Sequence, residues 1–346
     1  MKHAIKLAFL TAAKWLGLFH LSRYLYRDAL IILCYHGFAY EDEHRFRPSL
    51  FMTVGKLERR LAWLTKNGFC VLGLEESVER LYESSLPARS VAITIDDGFR
   101  SVGELAGPVF QRYKMPTTLY VTSYYVQKKT PIFRLIMQFM NWKTDQKPEC
   151  LQGIVNGLPV EEQARIDRNK EPIWQLIDYG ERYLTEEQRV ALSIKVAQKL
   201  QVDYAHIRET GMMSLLTERE ILALAGIGID VQLHTHRHTL PDEQDEAEGE
   251  IRDNRAVLEP LLRRPLKHFC YPSGVWNRDH WSILKKLGVR TAVTCDPGLN
   301  DRTAPPLGLR RLLDNEDMAQ IEFEAELYGF KELMRNARAH LSARKH

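Results

Sequence analysis

The 346-residue chain is predicted to be an α/β protein with a parallel sheet, on two observations. Short apolar runs rich in β-branched and aromatic residues alternate with longer segments whose apolar residues recur at helical spacing. This alternation is interrupted from 127 to 213, where the patterns are helical throughout. Alternating strands and helices imply parallel strands joined by helical crossovers, so we expect the interruption to be a helical insertion.

The predicted elements follow one another along the chain with recognisable boundary signals. Strands are expected at 29–35, 69–72, 91–95, 117–122, 229–233, 268–271 and 291–294. Helices are expected between them at 54–67, 74–82, 105–113, 217–225, 246–262 and 281–287. Gly68 ends the first of these helices as a C-terminal glycine, and Thr217 opens a later one in a capping-box pattern with Glu220.

The organisation along the chain is predicted to have three parts. These are a basic amphipathic N-terminal helix at 1–28, the α/β domain at 29–313 and a tail at 314–346 that is helical from about 323 to 341. Within the insertion, long helices are expected at 132–142 and 186–200. A chain of this length can bury a full core, as one large domain or two small ones.

The composition is that of an ordinary soluble protein, with 45% hydrophobic and 27% charged residues. A net charge of +3, without a stripe of Lys and Arg interleaved with aromatics, argues against a nucleic-acid partner. The five cysteines, at positions 34, 70, 150, 270 and 295, show no C-x-x-C spacing. This odd, scattered set argues against a disulfide framework or a cysteine zinc site and fits a reducing compartment.

The N-terminal segment allows three interpretations. The apolar run 7–13 lies between Lys6 and Lys14 and is at the short limit for a signal peptide. The pattern then continues as an amphipathic helix with interspersed basic residues, whereas a spanning helix needs about 20 mostly apolar residues. The segment is expected to pack on its own domain, to lie on a membrane surface, or to act as a secretion signal.

The most informative stretch is Asp96-Asp97-Gly98, directly after the apolar run 91–95. Two adjacent carboxylates repel each other, which is expected to push one pKa upward. Such a pair is easiest to keep where a bound cation takes one carboxylate and leaves the other free as a base. His234, His236 and His238 supply imidazoles that can complete such a site. Together these residues predict a metal-dependent hydrolase.

The positions of these residues favour one shared site. Reactive residues of parallel α/β folds gather at the carboxyl ends of the strands, and His36, Asp96, His234 and Ser273 all lie at predicted strand ends. In an extended chain, positions four apart are about 13 Å from each other, whereas two ligands of one metal lie within a few Å. The chain must therefore curl after His234 if His238 binds the same ion.

The segments Ile93-Thr94-Ile95-Asp96-Asp97-Gly98, His234-Thr235-His236-Arg237-His238 and Phe269-Cys270-Tyr271-Pro272-Ser273-Gly274 resemble, in order and spacing, three motifs of the polysaccharide deacetylase family, carbohydrate esterase family 4. The resemblance covers roughly 30–313. It implies a distorted (β/α) barrel of about seven parallel strands that hydrolyses an acetyl group from an amino sugar. It also implies one divalent metal, with zinc as first choice and cobalt, nickel or manganese as alternatives.

Carried over residue by residue, the resemblance makes Asp97, His234 and His238 the metal ligands. Asp96 becomes the general base that takes a proton from water. The backbone N–H of Ser273 is expected to help stabilise the oxyanion.

The same resemblance predicts the substrate side of the site, formed by Thr235, Tyr271, Pro272 and Arg311. Thr235 matches a family Ser/Thr that orients its loop by hydrogen bonding. His236, between the two ligating histidines, is expected to support the site or lie exposed rather than to bind the metal.

Two departures from the family pattern matter. Cys270 occupies the place where other members carry an arginine that positions the base, so Arg310 or Arg311 is the candidate substitute. The late histidine segment that usually supplies the general acid is not recognisable. His36, at the end of the first predicted strand, resembles a histidine of some members and is the candidate acid.

Two alternatives to N-deacetylation stay open. Because the arginine of the third motif is replaced by Cys270, a protein that binds carbohydrate without hydrolysing it is one alternative. The motifs do not distinguish acyl groups, so an O-deacetylase or a deformylase acting on a lipid-linked sugar also fits. Peptidoglycan, chitin-like oligomers, exopolysaccharide and lipid-linked precursors all fit as substrates. The N-terminal segment favours a cytoplasmic location at the inner membrane surface, with secretion as the alternative.

Overall fold

The computed structural model describes residues 2–163, 165, 167 and 169–343. Its strands are β1 Ile31–Tyr35, β2 Gly37–Phe38, β3 Phe51–Met52, β4 Cys70–Leu72, β5 Ser90–Ile95, β6 Thr117–Val121, β7 Asp230–Leu233, β8 His268–Cys270, β9 Thr291–Pro297 and β10 Leu309–Leu313. All seven predicted strands are confirmed. The prediction missed β10, because the consecutive charges of Arg310 and Arg311 interrupt the apolar pattern of this strand.

Seven of these strands close into a parallel barrel. The hydrogen-bonding order is β1-β10-β9-β8-β7-β6-β5, and β1 also pairs with β5, from Ile31 opposite Val91 to Tyr35 opposite Ile95. Strand β4 pairs with the first part of β5, whereas β6 pairs with β5 from Ile93 onward. The closed (β/α) barrel expected from the resemblance is therefore confirmed.

The barrel strands are apolar because both of their faces are covered. Every residue of β1, β5 and β6 is buried, which explains why these strands appear in the sequence as continuous apolar runs. Their few polar side chains are paired; the Thr94 hydroxyl, for example, donates to the carbonyl of Leu33 at 2.7 Å. The strongest strand signals thus belong to the strands that form the centre of the core.

Helices surround the barrel and form both terminal segments. In the first half they are α1 Lys2–Trp15, α2 Leu18–Leu25, α3 Glu43–Phe46, α4 Val54–Lys66, α5 Leu74–Tyr82, α6 Gly107–Tyr113, α7 Tyr124–Lys128, α8 Phe133–Lys143, α9 Gln152–Asn156 and α10 Val160–Gln163. The rest are α11 Pro172–Tyr183, α12 Glu186–Leu200, α13 Tyr204–Thr210, α14 Glu218–Gly226, α15 Gln244–Leu262, α16 His280–Lys286, α17 Gln320–Leu327 and α18 Phe330–Ala343. A π-helical turn, Val102–Ala106, precedes α6, and short 3₁₀ turns lie at Pro148–Leu151 and Pro272–Gly274.

The chain between β6 and β7 forms the helical insertion. Helices α8, α11 and α12 pack on one another around buried side chains such as Phe139, Leu176 and Val196. Its described residues contain no strand, as predicted, but the prediction of two long helices missed α11 and several shorter ones. Part of the prediction, at residues 164, 166 and 168, lies outside the described residues.

Both terminal segments are helical pairs rather than the single helices predicted. Gly17 and Gly329 adopt φ values of 77° and 72°, which break the helices between α1 and α2 and between α17 and α18. Leu10 and Phe19 pack on Phe330, so the two segments form one cluster. None of the described helices could cross a membrane alone; α1 and α2, bent by 76°, reach the required length and apolarity as a pair. Residues 344–346 of the predicted tail lie outside the described residues.

Candidate active site

The predicted site residues converge at the carboxyl ends of the barrel strands. His36 follows β1, Asp96 and Asp97 follow β5, His234 follows β7, and Ser273 lies in the turn after β8. All five line one cavity of about 380 Å³. Parallel strands bring their carboxyl ends to the same rim, which is why residues so distant in sequence share this cavity.

Asp97, His234 and His238 bring three ligand atoms together. Oδ1 of Asp97 lies 3.2 Å from Nε2 of His234 and 3.2 Å from Nε2 of His238. The ligand atoms of the three residues all lie within 4.8 Å of one another. In a tetrahedral zinc site with bonds of 2.0–2.2 Å, neighbouring ligand atoms are about 3.3 Å apart. The donor set and its spacing therefore fit a divalent ion.

Left-handed backbone turns create this cluster. Asp97 has a φ of 70° and is followed by Gly98 with a φ of 84°, so the chain reverses directly at the end of β5. Thr235 and His238 have φ values of 61° and 58°, and the rings of His234 and His238 come within 4.9 Å of each other. The chain thus curls after His234. Positive φ is costly for residues other than glycine and tends to persist at functional sites.

Hydrogen bonds fix the orientation of His234. Its Nδ1 lies 2.8 Å from the carbonyl oxygen of Cys270, so Nδ1 donates and Nε2 keeps its lone pair toward the ligand cluster. The His234 backbone N–H donates to the side-chain oxygen of Asn254 at 3.0 Å. The Asn254 amide group donates to the carbonyl of Val121 at 3.1 Å and to the hydroxyl of Ser123 at 2.9 Å. Helix α15 thereby ties the ends of β6 and β7 together.

Asp96 forms a buried bidentate ion pair with Arg311. The two guanidinium nitrogens of Arg311 donate to Oδ1 and Oδ2 of Asp96, each at 2.7 Å. Burial by itself raises the pKa of Asp96, but the charge and hydrogen bonds of Arg311 outweigh it and hold this pKa well below its usual range. Asp96 is therefore ionised at neutral pH.

The expected rise of one carboxylate pKa in the Asp96-Asp97 pair is wrong. The pKa of each carboxyl lies below its ordinary value although burial raises both. Arg311 counteracts burial at Asp96, and His238 and His234 do so at Asp97. The mutual repulsion is overcome because each carboxylate has its own partner on a different strand end.

Arg311 lies on the unpredicted strand β10 and pairs with Asp96. It is therefore the candidate substitute for the arginine that the third motif lacks at Cys270. Its side chain is fully buried, and Nη2 also contacts the Cys270 Sγ at 3.2 Å. The Cys270 thiol lies 3.3 Å from Oδ2 of Asp96, so cysteine leaves room for a guanidinium that arrives from another strand. The other candidate, Arg310, is 55% exposed and faces Glu332 instead.

His36 lines the same cavity as Asp96 and lies close to its carboxylate. Its Nε2 is 3.8 Å from Oδ2 of Asp96, beyond hydrogen-bond distance, and its side chain is 17% exposed. The imidazole lines the cavity, so it can reach a group bound there.

The residues predicted on the substrate side differ in placement from that expectation. All four are buried and none of them lines the cavity: Thr235, Tyr271, Pro272 and Arg311. The Tyr271 hydroxyl donates to the carbonyl of Leu307 at 2.8 Å. The next residue after Pro272 differs from these four. Ser273 has a φ of 55°, is exposed and lines the cavity.

Thr235 does not make the hydrogen bond expected of its side chain. Its Oγ1 is buried and has no hydrogen-bond partner among the described residues. The loop is tied by Thr122 instead, whose hydroxyl donates to the carbonyl of His234 at 2.8 Å. His236 lies outside the ligand cluster, with Nδ1 2.9 Å from the hydroxyl of Ser123.

Sequence reasoning missed the cavity wall opposite the ligands. Its apolar members are Leu50, Phe99, Ile132, Leu135 and Leu215, and its polar members include Arg47, Arg134 and Gln138. Most of these residues come from the loop after α3 and from the start of the insertion. No local sequence motif predicts that the insertion lies over the barrel rim. One sequence feature could have predicted this wall. The insertion lies between two strands, and residues of the site lie at or near the ends of both.

Comparisons with known proteins agree with this fold. The family model described as polysaccharide deacetylase matches residues 164–292, which include His234, His238 and Ser273 but not Asp96 and Asp97. YxkH of Bacillus subtilis (strain 168), a protein named for this family, is 25% identical over 121 residues, or 34% of this chain. The chain spans 42% of the length of that relative.

Solved structures resemble the chain over most of its length. Streptococcus pyogenes deacetylase PplD, in complex with acetate, is 17% identical, with 86% of this chain and 98% of that chain covered and a TM-score of 0.57. IcaB from Ammonifex degensii is 17% identical, with 87% and 97% covered and a TM-score of 0.56. A de-N-acetylase from Aggregatibacter actinomycetemcomitans is 13% identical, with 86% and 99% covered and a TM-score of 0.53. These matches show a shared fold, and the resemblance to the polysaccharide deacetylase family is confirmed.

Proposed function

We propose that this chain is a metal-dependent N-deacetylase that removes acetyl groups from an amino-sugar polysaccharide, oligosaccharide or lipid-linked glycan. The observation that carries the proposal is the arrangement of the Asp97, His234 and His238 ligand atoms beside an ionised Asp96 on one cavity. Two imidazoles and one carboxylate leave positions open for water and a substrate carbonyl, as in hydrolytic metal sites.

Asp97, His234 and His238 would hold a divalent ion, which would supply polarisation of the acetyl carbonyl and a lower pKa for water. Asp96 takes the proton of the attacking water, and Arg311 holds its carboxylate in place. The backbone N–H of Ser273 stabilises the charge that develops on the acetyl oxygen. The C–N bond then breaks, releasing acetate and a free amine.

The choice of an N-acetyl group is supported by the proton donor that the site offers. An amine leaves readily only when it is protonated, and His36 faces the cavity beside Asp96, where it can supply this proton. A structural neighbour from Aggregatibacter actinomycetemcomitans is itself called a de-N-acetylase.

A second candidate, deacylation of a lipid-linked sugar, is favoured by the cavity wall. Leu50, Phe99 and Leu135 form part of an apolar surface larger than a methyl group needs. Non-catalytic carbohydrate binding loses its main support, because it depended on a missing arginine and Arg311 pairs with Asp96.

The experiment is a screen of the purified, zinc-restored protein against N-acetylated and O-acetylated glycans and acetylated glycolipids, measuring released acetate and new amines. Acetate released together with an equal amount of amine supports N-deacetylation. Acetate without amine would favour the O-deacetylase. No acetate from any substrate, with zinc bound, would contradict the proposal. Asp96→Asn is the control for contaminating deacetylases.

A further inference from the structure

Most of the large apolar side chains that stay exposed in the described residues lie in one short part of the chain. Eight of fifteen lie on α1 and α2 or between them. Trp15 is 86% exposed and Leu16 is 76% exposed. We call this surface the N-terminal apolar face and define it by Ile5, Phe9, Trp15, Leu16, Leu21 and Leu25. Single exposed apolar residues are ordinary, whereas eight of them concentrated on one helix pair point to an interaction surface.

The opposite side of the same helix pair is already used for packing. Leu10 and Phe19 are 1% exposed and pack against Phe330 of α18. Lys6 and Lys14 form ion pairs with buried carboxylates of α17. The helix pair is thus held on the body of the protein. Phe9 lies at the edge of this contact, with its ring 6.1 Å from that of Phe330, and the other residues of the N-terminal apolar face remain exposed.

The charge around this face is mainly positive. Residues 2–28 contain five Lys or Arg and one acidic residue, Asp28, whose carboxylate lies 3.5 Å from Arg27. The carboxylates that approach from α17 are buried and paired with Lys6 and Lys14. Arg23 and Arg27, on and after α2, remain partly exposed. The face therefore combines apolar side chains with an excess of cations, and the exposed carboxylate at its edge, Asp28, is paired with Arg27.

We propose that the N-terminal apolar face binds the surface of a phospholipid bilayer that contains anionic lipids. Helices α1 and α2 then lie in the plane of the interface, with the body of the protein on the water side. A spanning arrangement does not fit, because the helices have 14 and 8 residues, are bent by 76° and are held by the protein on one side. Trp15 and Tyr24 supply amphipathic rings suited to the headgroup layer.

Flotation of the purified full chain with lipid vesicles tests this proposal. The protein should float with phosphatidylcholine vesicles that contain phosphatidylglycerol and less with phosphatidylcholine alone, and salt should weaken the binding. In a variant combining Trp15→Ser, Leu16→Ser and Leu21→Ser, partitioning should fall at least about tenfold, given the transfer free energy of large apolar side chains. Alkaline carbonate should release the bound protein, since it does not span the bilayer.

The matched control combines Leu222→Ser and Ile227→Ser, which replace apolar residues that are 46% and 40% exposed on and after α14. This control should float like the original chain, and all variants should keep the same melting temperature. Absence of flotation, or equal flotation of the Trp15 variant, would overturn the proposal. So would resistance to carbonate, which indicates a spanning segment. Self-association of a non-floating chain through the same residues would also overturn it and indicate a protein interface.

Discussion

Arg311 and Asp96 form the pair of residues on which the chemistry of the site depends most. Both are buried, and each guanidinium–carboxylate contact is 2.7 Å. Removing one partner of such a pair leaves a charge in a low-dielectric environment without compensation. The pair fixes the carboxylate in position and keeps it ionised, and both properties are needed in a base that acts on water.

Arg311→Met should therefore destabilise the metal-free protein by about 3–5 kcal/mol at neutral pH. The folded-state pKa of Asp96 lies below its ordinary 3.8, so the pair stabilises the fold above that pH and loses its contribution as pH falls through the folded-state pKa. In the variant, burial raises the pKa of Asp96 instead. The difference in unfolding free energy between the variant and the original chain should therefore become smaller at acidic pH. Urea unfolding at neutral and acidic pH measures both effects.

Arg310→Met is the matched control for this prediction. Arg310 is its neighbour on β10 but is 55% exposed, so its replacement should change stability by less than about 0.5 kcal/mol. A similar loss in both variants, or a loss in Arg311→Met that does not depend on pH, would contradict the role of the ion pair.

His36→Ala tests the proposed proton donor. A general acid contributes about 10²–10⁴-fold to turnover, so the variant should lose activity in this range while zinc content stays unchanged. The alkaline limb of the rate–pH profile should flatten or shift, because that limb reports loss of the acid's proton. If His36 has only a structural role, the melting temperature falls and the alkaline limb is unchanged, a result that would remove it from the mechanism.

At the residue scale, the motifs singled out five residues near strand ends as proposed ligands, base and acid, and the structure brings all five to one cavity: His36, Asp96, Asp97, His234 and His238. The identity of the arginine could not be decided between Arg310 and Arg311. That choice depends on which side of β10 faces the barrel interior, and β10 itself was missed. The buried positions of Thr235 and Tyr271 were also missed, because a motif specifies sequence neighbours and not the direction of a side chain.

At the scale of elements, α15 positions His234 of the proposed metal site although it contributes none of the proposed ligands. Asn254 is fully buried and connects the His234 backbone with the ends of β6 and the following turn. Partners that orient a ligand in this way influence metal affinity as well as stability.

Asn254→Ala should lower stability by about 1–3 kcal/mol, because buried polar groups lose their partners. Zinc affinity should fall by about 10–100-fold, as is usual when a supporting group of a metal ligand is removed. Glu246→Ala, on the exposed side of the same helix, is the control and should leave both unchanged. Competition with a fluorescent chelator measures the affinity; unchanged zinc binding in Asn254→Ala would contradict the role given to α15.

The elements differ in how well the sequence predicts them. Strands β5 and β6 were placed nearly to the residue because they are buried on both faces and apolar throughout. The two terminal helices were each predicted as one. Helical spacing continues across Gly17 and Gly329, and the left-handed turn that a glycine adopts there depends on packing.

At the scale of the whole molecule, metal binding and folding should be coupled. The three proposed ligands follow the ends of β5 and β7, so the folded barrel must exist for their atoms to meet. A ligand present at 100 times its dissociation constant stabilises the folded state by about 2.7 kcal/mol. Zinc should therefore raise the melting temperature of the chelator-treated protein by several degrees.

His238→Ala should abolish most of this zinc-dependent rise, because it removes one of three ligands. Differential scanning fluorimetry with and without zinc measures the shift. His206→Ala, which replaces an exposed histidine on α13, should keep the full rise. An equal rise in His238→Ala and the original chain would place the stabilising ion elsewhere.

The alternation of strands and helices predicted a parallel α/β fold, and the closed barrel was expected only from the resemblance of the three motifs to a known family. The cavity could not be predicted, because its wall is built where the insertion meets the loop after α3, and that contact is a property of the tertiary structure. The substrate side of the site therefore has to be learned from the structure and from binding experiments.

The most direct test of the central claim compares zinc content and acetate release in Asp96→Asn and Asp97→Asn, measured on the same folded preparations. Asp96→Asn should keep its zinc while turnover falls by about 10²-fold or more, since the proposed base is lost and the proposed ligands remain. Asp97→Asn should lose zinc, because a neutral amide is a poorer ligand than a carboxylate. Equal zinc loss in the two variants, or near-normal turnover in Asp96→Asn, would contradict the assignment of one aspartate as base and the other as ligand.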